Sequence, residues 1–168
     1  MITAEDMKYL KRAVVLAKKA LENGDQPFGS VLVSKTGEVL YEGHNHVKDG
    51  DHTRHPEFEI AKWALNNLSL EERQDATVYT SGEHCPMCAA AHGWANLGRI
   101  VYASSSKQLS MWLKEFGVEP SRVKPLPIED VIDGVLVDGP VHELAHQVYL
   151  LHAKYYNFDK NEKNSNLI

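Results

Sequence analysis

Two short segments carry residues able to do chemistry: His55-Pro56-Glu57 and, thirty positions later, Cys85-Pro86-Met87-Cys88. An imidazole and two thiolates make a standard catalytic zinc set, three protein ligands with the fourth position left to water. Zinc so held carries no net charge with its ligands, yet it still brings the pKa of a water down to about 7. A carboxylate that stays off the metal can take the released proton and return it later. Glu57 is the candidate for that shuttle.

The elements that must position these groups follow from local signals. Both cysteines fall at the expected start of a helix, where the helix dipole favours anions and lowers a thiol pKa. His55 stands where another helix begins, because Pro56 suits the first helical position. At such a junction His55 and Glu57 can face one pocket, whereas mid-helix positions two apart diverge. A lone CxxC also marks redox sites, but no thioredoxin-like βαβ context precedes this one. A structural zinc site is the other alternative. The chain has two cysteines, so sets of three or four thiolates are excluded. A set of two thiolates and two imidazoles stays open, with His52 or His84 as the second histidine.

A rival motif lies near the other end. Residues 142–146 read His-Glu-Leu-Ala-His, and His152 falls where a third metal ligand would be sought. That pattern needs a glycine between the second and third histidines to turn the chain back, and Tyr149 occupies the place. On an unbroken helix His152 lies about 9 Å along the axis from His146, too far to share an ion. The plain alternative is a terminal amphipathic helix with Val141, Leu144, Ala145, Val148 and Leu151 facing the core.

Thr3 and Asp6 form a capping-box-like start. Met7, Leu10, Val14, Ala17 and Leu21 then make one helical stripe that stops at Gly24. Residues 28–34 and 39–43 read as a β-hairpin about Lys35-Thr36-Gly37, with a loop over 45–54. The expected remainder is a helix from residue 55, a strand at 76–80, a helix at 85–97 and a strand at 99–103. A helix at 107–116, a strand at 134–138 and a helix at 140–154 complete it. This order predicts an α/β protein, a three-layer αβα sandwich with a mixed five-stranded sheet. The long crossover before the fifth strand permits the last two strands to be parallel. One domain over residues 1–156 and a polar tail at 157–168 are expected.

The 168-residue chain carries 18 Lys plus Arg against 23 Asp plus Glu, a formal charge of −5. That balance argues against general nucleic-acid binding, which depends on a basic excess. No apolar run approaches the ~20 residues of a membrane span. The N-terminus lacks the basic and apolar regions of a signal peptide. A cytoplasmic protein, without a membrane partner, is the expectation.

The pattern H-x-E followed by C-x-x-C is that of zinc deaminases acting on nucleobases, and residues 4–154 resemble the cytidine deaminase-like superfamily. The resemblance implies zinc as cofactor on His55, Cys85 and Cys88, with Glu57 passing protons to the ring nitrogen and the leaving amine. Two departures are visible: Pro56 where alanine is usual, and His84 where proline usually precedes the first cysteine. Neither removes a ligand, but His84 adds a polar group beside the metal. The chain is most similar to the small guanine and tRNA adenosine deaminases, whose crossover helix before the last strand it shares. By that resemblance Asn45 hydrogen-bonds the base and Phe28 packs on it. Each has a plainer alternative, a turn cap for Asn45 and core filler for Phe28. Trp94 matches a tryptophan of the guanine deaminase branch, although a helical tryptophan is more often core. A second acid of that branch falls near Glu115, and Tyr155, Tyr156 and Phe158 are candidates to close a pocket. The resemblance implies a small-molecule base or nucleoside as substrate, a guanine-type purine ahead of cytosine-type bases and tRNA adenosine, and a homodimer. A non-catalytic zinc-binding domain of the same fold is the rival reading.

Overall fold

Thr3 opens the molecule as its sequence anticipates. In the computed structural model, which describes residues 1–159, the Thr3 hydroxyl accepts from the Asp6 N–H, while Asp6 accepts from the Thr3 N–H at 2.7 Å. This reciprocal cap starts α1 (Ala4–Glu22). The chain then forms β1 (Gly29–Val33) and β2 (Val39–His44), an antiparallel hairpin whose turn uses Gly37 at φ +84°.

Next come α2 (Pro56–Asn67), α3 (Leu70–Asp75), β3 (Thr77–Gly82), α4 (Pro86–Trp94), β4 (Ile100–Ser104) and α5 (Ser106–Glu115). A 3-10 turn (Ile128–Asp130), β5 (Val137–Asp138) and α6 (His142–Tyr155) complete the described chain. The sheet order is β2-β1-β3-β4-β5. β1 pairs antiparallel with β3, and β3, β4 and β5 run parallel, so the expected mixed sheet with its last two strands parallel is present.

Helices cover both faces because the central strands are apolar on both. On one face Leu10 and Val14 of α1 and Leu144 and Val148 of α6 pack against Val31, Tyr79 and Val101. On the other, Ile60 and Ala64 of α2 and Ala95 after α4 cover Leu32 and Val78. Gly29 lets α1 lie this close, since a Cβ there would come within 2.5 Å of α1 backbone atoms. Arg99 ties the strands' opening ends to α1, with Nη1 2.8 Å from Asp6 Oδ1 and Nη2 2.7 Å from Asp138. Burial works against the Asp6 charge, yet Arg99, Thr3 and Tyr79 bring its pKa down to about 2.

The structure departs from the sequence expectation in two places. The helix α3 stands where none is predicted, although Ser69 and Glu72 form a full capping box. The fifth strand is two residues long instead of five, because the chain is still turning at Gly134 (φ +71°): Val137 and Asp138 pair with Ile100 and Val101 of β4, and Leu136 adds one bond, its carbonyl accepting from the Ile100 N–H at 2.9 Å.

Candidate metal and active site

Both metal-binding segments work through the same local device, an extended residue before a helix whose first position is proline. His55 (φ −89°, ψ 142°) precedes Pro56 of α2, and Cys85 (φ −67°, ψ 165°) precedes Pro86 of α4. A residue before proline is driven to this extended geometry, and proline fits the first helical turn without losing a hydrogen bond. The His55 and Cys85 side chains are therefore presented ahead of the two helix N-termini. Cys88 follows one turn into α4 and lies beside Cys85.

The three donor atoms converge. His55 Nδ1 lies 3.6 Å from Cys85 Sγ and 3.5 Å from Cys88 Sγ, and the two sulfurs are 3.6 Å apart. Bonds of about 2.0 Å to nitrogen and 2.3 Å to sulfur around a tetrahedral ion require donor separations of about 3.5–3.8 Å. The cluster fits zinc. Among the described residues it is the one group of three metal-ligating side chains that converge.

The electrostatics suit a cation. The Cys88 thiol and His55 bring the Cys85 pKa down to about 4, whereas the Cys85 anion and burial push Cys88 upward. Burial disfavours charge on His55, but Cys85 and Glu57 raise its pKa on balance. Two thiolates this close repel each other until a cation separates them.

Glu57 is buried in the first turn of α2. Its Oε1 accepts from the Ser30 hydroxyl at 2.7 Å and the Thr80 hydroxyl at 2.7 Å. Sequence reasoning missed both hydroxyls. Their only signal is a polar residue at a fully buried position in each of two central strands.

The remaining expected residues have the following surroundings. Asn45 is 1% exposed, its N–H donates to Phe28 O at 3.0 Å, and neither side-chain amide atom has a partner among the described residues. Phe28 lies against Gly82, where an added Cβ would come within 2.9 Å of the ring, and meets His152 edge-on at 4.9 Å. His84, next to Cys85, is fully buried and meets the His92 ring edge-on at 5.4 Å. Neither of its ring nitrogens has a partner among the described residues. Burial, with His92 alongside, holds its pKa well below the usual value, so the ring is neutral.

Trp94 lies at the far end of α4 from Cys85 and is 83% exposed; this chain does not bring it to the cluster. Glu115 ends α5, and its carboxylate accepts from the Tyr149 hydroxyl at 3.4 Å. The C-terminal aromatics hold one another and their neighbours. The Tyr156 hydroxyl accepts from the Gln26 side-chain amide at 2.8 Å, Tyr155 meets Tyr156 edge-on, and Phe158 packs on Phe116. The rest of the expected tail, 160–168, lies outside the described residues.

The histidines of the rival motif do not converge. His142 and His146 are exposed on α6, while Leu144, Ala145, Val148 and His152 face inward. The amphipathic-helix reading of that segment holds.

Residues 3–104 match the family described as the cytidine and deoxycytidylate deaminase zinc-binding region. The chain belongs to this family. Within it, the chain is 40% identical over 98 residues to a guanine deaminase of Bacillus subtilis, covering 57% of this chain and 62% of that one. A probable cytosine deaminase of Schizosaccharomyces pombe is 29% identical over 119 residues, 71% of this chain and 72% of the relative. A tRNA-specific adenosine deaminase of Bacillus subtilis is 34% identical over 101 residues, 60% and 62% of the two chains. The match thus spans less than two thirds of these guanine and tRNA adenosine deaminases. A solved guanine deaminase from Nitrosomonas europaea superposes with a TM-score of 0.67 over 94% of this chain and 86% of its own, at 18% identity, a likeness of fold. This deaminase-family chain thus has the fold that its sequence implied, and His55, Cys85 and Cys88 form a potential zinc site.

Proposed function

We propose that the protein is a hydrolytic deaminase of a free nucleobase or nucleoside, a guanine-type purine first, releasing ammonia. The observation that carries this reading is Glu57, a buried carboxylate held by two hydroxyls beside the His55–Cys85–Cys88 cluster. A structural zinc site has no use for such a group.

Zinc on His55, Cys85 and Cys88 would supply Lewis acidity that makes water a nucleophile near neutral pH. Glu57 takes the proton from the attacking water and delivers protons to the ring nitrogen and the departing amine. Asn45 supports recognition, since its amide is buried with both hydrogen-bonding atoms left for a ligand by the described residues. Phe28, whose backbone carbonyl accepts from the Asn45 N–H, would supply an apolar ring, and His84 a neutral polar one.

The guanine preference is supported by the 40% identity to a guanine deaminase. Cytosine-type bases are the second reading, supported by the relative matched over 72% of its length. The net charge of −5 disfavours a tRNA substrate. A homodimer in the cytoplasm belongs to the same proposal, and light scattering at twice the chain mass tests the dimer.

The deciding experiment is ammonia release from guanine, guanosine, adenine, adenosine, cytosine and cytidine by the zinc-loaded protein beside Glu57→Ala. Turnover of one compound by wild type, abolished in a variant that still holds zinc, is expected. Silence across the panel, with zinc bound at one per chain, would favour the non-catalytic binding domain or an RNA substrate.

A further inference from the structure

We propose that Ser30 and Thr80 are positioning residues for the reaction. Together they pin Glu57 Oε1 and so fix Oε2 as the oxygen that meets the nucleophile and the leaving amine. The inference rests on the deaminase reading and adds two residues to its machinery.

The argument begins with the sheet. Ser30 of β1 and Thr80 of β3 are direct partners in the antiparallel register, so their side chains emerge side by side on one face. Two residues along the same strands on that face, Leu32 and Val78 lie in the apolar core beneath α2. Both Ser30 and Thr80 are 0% exposed. A buried hydroxyl without a partner is costly, so a polar pair at this point calls for a polar object above it. That object is the Glu57 carboxylate, delivered by the first turn of α2.

The contacts converge on a single atom. Oε1 takes both 2.7 Å bonds, in the range expected when the acceptor is ionised. Ser30 Oγ is also 2.9 Å from Thr80 Oγ1, and Thr80 Oγ1 is 2.9 Å from Gly82 O. Each hydroxyl carries one proton. With Ser30 removed, Thr80 can still donate to Glu57; with Thr80 removed, Ser30 can. The two therefore back each other up, and only loss of both leaves the carboxylate free to rotate. A carboxylate without those bonds can turn about its Cγ–Cδ bond to angles that aim neither oxygen at the nucleophile, and misplacement of a reacting group is expensive in rate.

The test is a cycle of Ser30→Ala, Thr80→Val and the double variant, with Thr80→Ser as the conservative control. Each is assayed on the amine that wild type deaminates, with zinc content and melting temperature measured alongside. Each single change is expected to lower kcat by roughly 3- to 10-fold, and the pair by roughly 100-fold or more. KM should stay within about two-fold, because the groups that bind substrate are untouched. Thr80→Ser should match wild type, because the hydroxyl is kept. Crystal structures of zinc-loaded wild type and double variant supply a readout independent of turnover: the Glu57 carboxylate should turn only in the variant. A zinc-loaded double variant with kcat near wild type, or with Glu57 unmoved, overturns the proposal. So does a kcat loss that tracks zinc or melting temperature and that Thr80→Ser also suffers. If wild type deaminates nothing, the enzyme reading falls, and the pair of crystal structures still decides whether the hydroxyls orient Glu57.

Discussion

The donor separations of 3.5–3.6 Å make a prediction about each ligand alone. Losing one leaves two donors, short of the three protein ligands that a catalytic zinc site uses. Cys88→Ala should therefore drop zinc from one per chain to near none, by elemental analysis. A chelator should lower the melting temperature of wild type and leave that of Cys88→Ala unchanged. Equal zinc in both proteins would mean that the ion sits elsewhere. Glu57→Ala should keep the metal, because the carboxylate is held by hydroxyls and stands outside the ligand set. Among the residues named from sequence, those next to proline were the most legible, since the X-Pro bond dictates its own geometry. Ser30 and Thr80 were not, because nothing local distinguishes a hydroxyl that serves a carboxylate from one that serves its own backbone.

At the scale of elements, the contact between Phe28 and Gly82 links the first strand's entry to the end of the third. Any side chain at Gly82 must displace the Phe28 ring, which itself lies edge-on to His152 of α6. Gly82→Ala is expected to cost about 1–3 kcal/mol, the usual range for overpacking a filled core. Denaturant unfolding measures it, and a second change, Phe28→Leu, should recover part of the loss by making room. A Gly82→Ala protein as stable as wild type would show that the ring has space the structure denies it. Helix starts were readable at Thr3, Pro56 and Pro86, where a cap or a proline announced them. The helix at Leu70–Asp75 has its capping box in the sequence too, but its six residues bury no side chain and so show no apolar stripe. The two-residue β5 is different. Its length depends on the turn at Gly134 and on its register against the start of β4, at Ile100 and Val101, and that register is a tertiary fact.

The molecule as a whole carries a pH dependence set by its interior. His92 and His152 are buried and neutral, with burial bringing their pKa values down to about 4 and about 3. A depressed folded-state value means that only the unfolded chain binds the proton once pH falls below about 6.5. The stability these residues allow is thus fully present above about 6.5 and is lost progressively as pH falls towards about 4 and about 3. Each contributes about 1.4 kcal/mol per pH unit in that window, or about 2 kcal/mol between pH 6.5 and 5. Asp6 acts lower, with its contribution present above 3.8 and lost as pH falls through about 2. His152→Leu should flatten the loss of unfolding free energy between about pH 7 and 5 by one proton's worth. An unchanged slope would mean that His152 is protonated in the folded protein or reached by water.

What the sequence determined by itself is what short-range chemistry dictates. The metal-ligand types, their presentation at two proline-led helix starts, the i,i+3 spacing of Cys85 and Cys88, and the order of helices and strands all follow from neighbours a few residues apart. The connection before the last strand, too long for a tight hairpin, permitted the parallel pairing that the structure shows. Only the tertiary structure decided that Trp94 projects to solvent while His152 is enclosed, and that Ser30 and Thr80 meet beneath Glu57. Those outcomes depend on strand register and on which face a helix turns to the sheet. Both are set by packing between residues far apart in the chain, where a shift of one position moves a side chain to the opposite face.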